Sequence, residues 1–354
     1  MKKLLKVFLA VVITAAVLYL FVLFAPVKAV ERLRNLWIET AMTTGEHQWL
    51  ATYLFPAALI DDVMSRQVNP EVISNPELID IPKPGGDAVA AEPTPYESND
   101  GSLSLYDELG NEIIVDDRDQ DIRIVEVKTA EYVGHLLFVS DPGRIAVATT
   151  DKKDVKGAFI KNLAAQVDGI AAINANAFVD DGGSGSGGQI IGWTVSEGEE
   201  WGGITERGTY TSMGFDYDGK LIVGNISDFG KYNIKELVQY QPAMIADGKQ
   251  LVSGSAGWGI HPRTAVGQKA DGTVILAVID GRQPGYSLGT TIGELADLLF
   301  AYGCVNAAAC DGGSSSILYY NGDIIGTPST PLKETGRYLP NAIVVKKKQT
   351  LTDY

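Results

Sequence analysis

The sequence predicts an α+β fold: a mixed, largely antiparallel sheet with hairpins and at least two packed helices, preceded by an N-terminal transmembrane helix. Three observations point to it. Residues 7–27 are uncharged and follow Lys2, Lys3 and Lys6. Beyond residue 101, short β-rich runs are joined by Asp-Gly and Asn-Gly turns, and two segments of helical periodicity interrupt them. Only three of the 39 glycines precede residue 101, so the second part of the chain must be rich in turns and close backbone approaches.

The first 30 residues read as a membrane anchor, because 21 uncharged positions can cross a hydrocarbon core about 30 Å thick as a helix. The lysines place the N-terminus in the cytoplasm and the remaining chain outside. A cleaved signal peptide ending near Val27-Lys28-Ala29 is the alternative, but its apolar region normally runs only about 7–15 residues. Residues 31–68 carry Trp49, Tyr53, Ala57, Ile60 and Met64 at helical spacing, interrupted by Pro56. That predicts two short juxtamembrane helices, either a membrane-lying or self-associating stalk or plain packing helices. Residues 69–100 hold six of the fifteen prolines and seven acids against one lysine. Such a segment reads as an extended linker that buries little apolar surface.

Residues 101–347 form the working domain, with 348–354 as a tail. Turns at 109–111, 217–220, 246–249, 270–273 and 320–323 supply the positive φ angles that tight hairpins need. A helix is predicted over Asp154–Val167, followed by the apolar strand Ile170–Ile173, Asn174 and a glycine-rich loop. A second runs from Ile292 to Tyr302 behind a Thr291/Glu294 capping box, then a strand from Val305 to Cys310. Both units end a buried strand in a polar residue and glycines, so their loops are expected to meet at one sheet edge.

A net charge of −15 with no basic stripe excludes a phosphate-tracking nucleic-acid binder. Cys304 and Cys310 sit at opposite ends of a predicted strand, about 20 Å apart at 3.3 Å per residue, so they read as buried thiols rather than a bridge. Three histidines make a multi-histidine metal site improbable, and no cofactor is expected. Calcium held by Asp180, Asp181 or glycine-loop carbonyls is a weak option, because no twelve-residue calcium loop is present. The 180–188 loop lacks the Gly-Lys-Ser/Thr of a nucleotide site.

Chemistry concentrates in two places. Asp311-Gly312-Gly313-Ser314-Ser315 puts an acid at a strand end beside glycines that let backbone amides approach a ligand, although an Asx turn explains the same residues. His261-Pro262-Arg263-Thr264 leads into a hairpin that returns to Asp280-Gly281-Arg282. The two arginines suit an oxyanion clamp or, alternatively, an internal ion pair with the aspartate.

These pieces in this order resemble the phosphodiester glycosidase family over about residues 120–347. The likeness is carried by Ile173-Asn174 with Phe178, Arg263–Gly267, Asp280-Gly281-Arg282, Thr291 with Glu294-Leu295-Ala296, Asp311–Ser315 and Arg337–Ile343. Where the family has Asn-Gly-Gly-Phe-Phe, this chain has Asn174-Ala175-Asn176-Ala177-Phe178. The resemblance implies hydrolysis of a sugar-1-phosphodiester at the glycosidic side. On that reading Arg263 and Arg282 hold the phosphate, with Thr264 also lining the substrate site, and Asp280 and Asp311 act as base, nucleophile or cation stabiliser. Asn174 and Asn341 orient sugar hydroxyls, and Gly312, Gly313 and Ser314 donate hydrogen bonds. The expected partner is a sugar-phosphate polymer or glycan of the cell envelope. A non-catalytic module binding polyanionic polysaccharide through the same arginines is the alternative.

Overall fold

The computed structural model describes residues 2–24, 27–81, 94–97, 103–180 and 185–349. Expectations for 82–93, 98–102, Asp181 and 350–354 lie outside the described residues. Six α-helices are α1 (Lys2–Phe24), α2 (Lys28–Met42), α3 (Trp49–Thr52), α4 (Ala57–Met64), α5 (Ile160–Gln166) and α6 (Ile292–Ala301). The described strands form one sheet of ten and two of five, and their pairings are antiparallel.

The turn chemistry appears where the sequence places it. Asp247 and Gly248 have φ of 53° and 69°, and Asn321 and Gly322 of 45° and 107°, as a two-residue hairpin turn with right-handed strand twist requires. Four adjacent strands form the centre of the large sheet: Val133–Val139, Val274–Ile279, Arg263–Lys269 and Cys304–Cys310. One face, through Val266, Leu276 and Ala308, packs on Ile173 and Ile343 of one small sheet and Met213 and Val223 of the other. α6 covers the opposite face, laying Ile292, Leu295 and Leu299 on Ala265, Ala277 and Ala307, whose small side chains let the helix approach.

α6 starts at the predicted capping box, with both reciprocal hydrogen bonds present between Thr291 and Glu294. α5 is shorter than the predicted 154–167 helix. Residues before it are drawn into tertiary pairing instead: Ala158 bridges Leu339, and a Cβ at Gly157 would lie 2.5 Å from the Leu339 carbonyl oxygen. Helix-spaced residues there yield to a close strand-like contact. Cys304 and Cys310 are free and buried at the two ends of one strand, and burial pushes both thiols far up.

The region expected to hold two juxtamembrane helices forms three, with Pro56 at the N-cap of α4. The described part of the proline-rich segment does not hang free. Ser74 N–H donates to the Val223 carbonyl at 2.8 Å, Asp80 N–H to that of Ala270 at 2.8 Å, and Ile79 enters the main core. Gly224 admits this passage, since a Cβ there would fall 2.2 Å from the Val72 carbonyl oxygen. Composition therefore misleads over 69–81, where a single buried isoleucine and backbone pairing hold the strap to the domain.

Candidate active site

Strands Val274–Ile279 and Cys304–Cys310 both pair antiparallel with the strand between them, Arg263–Lys269. They therefore run the same way, and their C-terminal ends share an edge with the start of the middle strand. This brings Arg263, the 280–282 turn and Asp311 together, with the outer two about 10 Å apart at backbone level. The strand Gly169–Asn174 of a small sheet ends beside them. Asp311 N–H donates to the Ala175 carbonyl at 2.8 Å, and Asn174 Nδ2 donates to the Asp311 carbonyl at 2.7 Å. The two polar loops do meet.

Asp311 is only partly covered, and its Oδ1 accepts from Gly312 N–H at 3.0 Å. Burial pushes its carboxyl up to about 6, against the opposing pull of Ser315 and Arg337. A group there is ionised at neutral pH and close enough to its titration point to exchange a proton. Beside it, Arg337 donates to Ser314 Oγ at 3.0 Å and to Asp180 Oδ2 at 2.6 Å, over the Phe178 ring at 4.6 Å. Arg337 carries part of the sequence likeness, yet nothing in its spacing betrays that it reaches the 311–315 turn.

Arg282 lies on the other side of that turn. Its Nη2 donates to His261 Nδ1 at 3.3 Å, and its side chain faces Gly313, where a Cβ would come within 3.1 Å of Nη2. The donation fixes the tautomer: His261 keeps its proton on Nε2 and gives it to Thr43 Oγ1 of the segment after α2, 2.7 Å away. Thr43 in turn donates to the Glu39 carbonyl at 2.6 Å. Burial first, then Arg263 and Arg282, hold His261 well below the usual imidazole range, so it is neutral. His261 was visible in the sequence without a role; contact across more than 200 residues supplies one.

Arg263 is buried and differs from the expected clamp. Its Nη2 donates to the Trp258 and Gly259 carbonyls at 2.7 and 2.9 Å, and Nε to that of Thr290 at 3.4 Å. Burial brings it down to about 10, still a cation at neutral pH. Among the described residues, neither Arg263 nor Arg282 has a carboxylate within 4.0 Å. Arg263 is held instead by main-chain carbonyls, and Arg282, exposed at the edge, is offset through space by the Asp311 and Glu46 carboxylates.

Several of the expected ligand contacts are engaged within the protein. Asn174 and Asn341 are fully buried with their amides committed to the protein. Asn174 Oδ1 accepts from Thr264 Oγ1 at 2.7 Å and from Ile317 N–H at 3.2 Å, which also removes Thr264 from any ligand. Asn341 Nδ2 donates to Asn176 Oδ1 and Thr194 Oγ1, each at 2.9 Å. Asn176, which replaces a family glycine, donates onward to the Ile191 and Trp193 carbonyls. The Gly312 N–H serves Asp311 and the Gly313 N–H donates to the Pro262 carbonyl at 2.9 Å, so both glycines shape the turn instead of donating to a ligand. Asp280 is buried, with Oδ2 accepting from Tyr286 Oη and Thr327 N–H at 2.8 Å each, and it ties two loops together rather than facing solvent. Ser314 and Arg282 remain at the open edge. Asp180, the described half of the calcium pair, is bound to Arg337.

The sequence matches the phosphodiester glycosidase family over residues 168–346, half of the chain and the span that builds this edge. The chain belongs to the phosphodiester glycosidase family. A curated relative, the SPbeta prophage-derived uncharacterized protein YomE of Bacillus subtilis strain 168, is 26% identical over 200 residues, 53% of this chain. The matched stretch is 29% of that protein's length. Among solved structures, the catalytic domain of zebrafish N-acetylglucosamine-1-phosphodiester alpha-N-acetylglucosaminidase superposes with a TM-score of 0.50 at 18% identity, covering 73% of this chain and 82% of that one. A hypothetical protein from Synechocystis gives 0.46 at 16% identity, over 64% and 62%. At 18% identity the likeness to the zebrafish domain speaks for a shared fold alone.

Proposed function

We propose that the protein hydrolyses a glycosyl-1-phosphodiester at the sugar C1–O bond on cell-envelope or extracellular glycans, releasing free sugar and a phosphomonoester. The observation that carries this reading is the exposed Arg282 guanidinium facing the turn that holds Ser314 and the partly covered Asp311 carboxyl. A phosphodiester places its negative charge against Arg282. Arg282 makes the direct contact as a planar paired donor, and buried Arg263 adds field without touching. Ser314 Oγ, already accepting from Arg337, gives its own proton to a phosphate or sugar oxygen.

Cleavage breaks C1–O and leaves both electrons on the phosphate oxygen, which is stabilised as an anion by the cations and needs little protonation. Water adds to C1, and its proton passes to the Asp311 carboxylate, which also faces the developing positive charge at C1. Arg337, held by Asp180 and Phe178, fixes the turn that carries Ser314 and Asp311. On this reading α1 spans the membrane, with the N-terminus cytoplasmic and the site outside.

The test is incubation of the full chain with a panel of glycosyl-1-phosphodiesters, with Asp311→Asn as control. Free sugar plus phosphomonoester from the wild type alone supports the reading. Binding of a sugar-phosphate polymer with no turnover by either would favour the non-catalytic module.

A further inference from the structure

We infer that the turn after α3, together with the exposed face of α2, is a membrane-interface surface that seats the domain on the lipid bilayer. The geometry starts inside α1, the one described helix long and apolar enough to cross a membrane. Tyr19 lies five residues before its end at Phe24, about 7–8 Å along the helix at 1.5 Å per residue. Its hydroxyl donates to the Leu54 carbonyl at 2.6 Å. Whatever surrounds Tyr19 therefore surrounds Leu54, and residues 53–54 sit below the level at which α1 ends. If α1 spans the bilayer, that level is the apolar–polar boundary.

The side chains at that depth are those a bilayer interface favours. Tyr53 is 83% exposed, Trp49 52%, Trp37 50% and Leu54 42%, in a segment whose other apolar residues, Ile38, Ala51, Ile60 and Val63, form a small core of their own. Large aromatics left outside a core that is already complete need another partner. Trp37 Nε1 is satisfied by the Leu50 carbonyl at 3.0 Å, so its ring edge enters an apolar zone without an orphaned donor. Arg34 donates to the Leu23 carbonyl at 2.6 Å, closing the C-terminal end of α1 with a cation and locking α2 to it.

The same helix reaches the catalytic edge. Thr43 follows α2 and bonds His261, while Thr40 Oγ1 accepts from Ile260 N–H at 3.0 Å. From Lys28 to Thr43 the path is at most about 25 Å at helical rise. The bilayer contact thus holds the Arg282–Asp311 edge at a fixed, short height above the surface.

The full chain reconstituted in phosphatidylcholine–phosphatidylglycerol vesicles tests this, using tryptophan fluorescence and lipids carrying a spin label near the headgroup. The protein has five tryptophans, at 37, 49, 193, 201 and 258. The expected result is strong quenching by the shallow label that is mostly lost in Trp37→Phe/Trp49→Phe, with the thermal unfolding of that variant little changed. Quenching that persists undiminished in the double variant, or none in the wild type, overturns the inference. So does an intact mass showing that residues before 30 have been removed. None of these readouts involves turnover, so they stand apart from the proposed reaction.

Discussion

The Asn174 side chain donates to the main-chain carbonyl of Asp311 at 2.7 Å, joining the end of a small-sheet strand to the end of a large-sheet strand. The candidate active edge is a seam between two sheets, and buried amides hold it together. Removing this amide by Asn174→Ala leaves the Asp311 carbonyl, Thr264 Oγ1 and Ile317 N–H without their partner. An expected loss of about 2–4 kcal/mol follows from stranding such groups, checked by urea denaturation.

Asp311→Asn separates chemistry from folding. The carboxyl is raised by burial to about 6, so the folded state binds its proton more tightly than the unfolded chain. Stability from this group is present at low pH and is lost as pH rises through about 4 to 6. The asparagine variant should therefore melt higher than wild type at pH 7.5, while turnover falls at least ~10²-fold, about 2.7 kcal/mol of barrier. The wild-type kcat/KM should lose activity on the acid side near pH 6. A flat profile down to pH 4.5 would remove Asp311 from the base role.

Arg282 stands at φ +58°, a conformation that side chains bearing a Cβ adopt at a cost of about 1–2 kcal/mol. Arg282→Gly should stabilise the fold by about 1 kcal/mol and raise KM for a phosphodiester. Arg282→Lys, which keeps charge but not the planar donor pair, should recover only part of the affinity. Thermal melts and initial-rate kinetics on the same samples check both halves.

Asp280→Ala should behave as a structural lesion. Tyr286 and Thr327 lose their acceptor, so the midpoint of urea unfolding drops. Specific activity of the folded fraction should stay within a few-fold of wild type. A loss of kcat as large as that for Asp311→Asn would return Asp280 to the catalytic role that the sequence suggested.

The sheet-building part of the fold was legible because it is local: Asp247-Gly248 and Asn321-Gly322 announce their hairpins, and Thr291 with Glu294 announces α6. The meeting of the loops after Asn174 and Cys310 was expected from their matching helix–strand contexts, whereas the arginines joined them only through the family resemblance. Which polar residues face outward was not legible, because Asn174, Thr264 and Asn341 have the types of ligand contacts but are buried by a second sheet. Arg337 and the Thr43–His261 contact depend on chain segments far apart, for which spacing carries no signal.

The position of bond cleavage tests the central claim most directly. Turnover of a glycosyl-1-phosphodiester in ¹⁸O-labelled water should place the label on C1 of the released sugar and none in the phosphomonoester. Label in phosphate, with sugar-1-phosphate as product, would mean attack at phosphorus and would contradict the account.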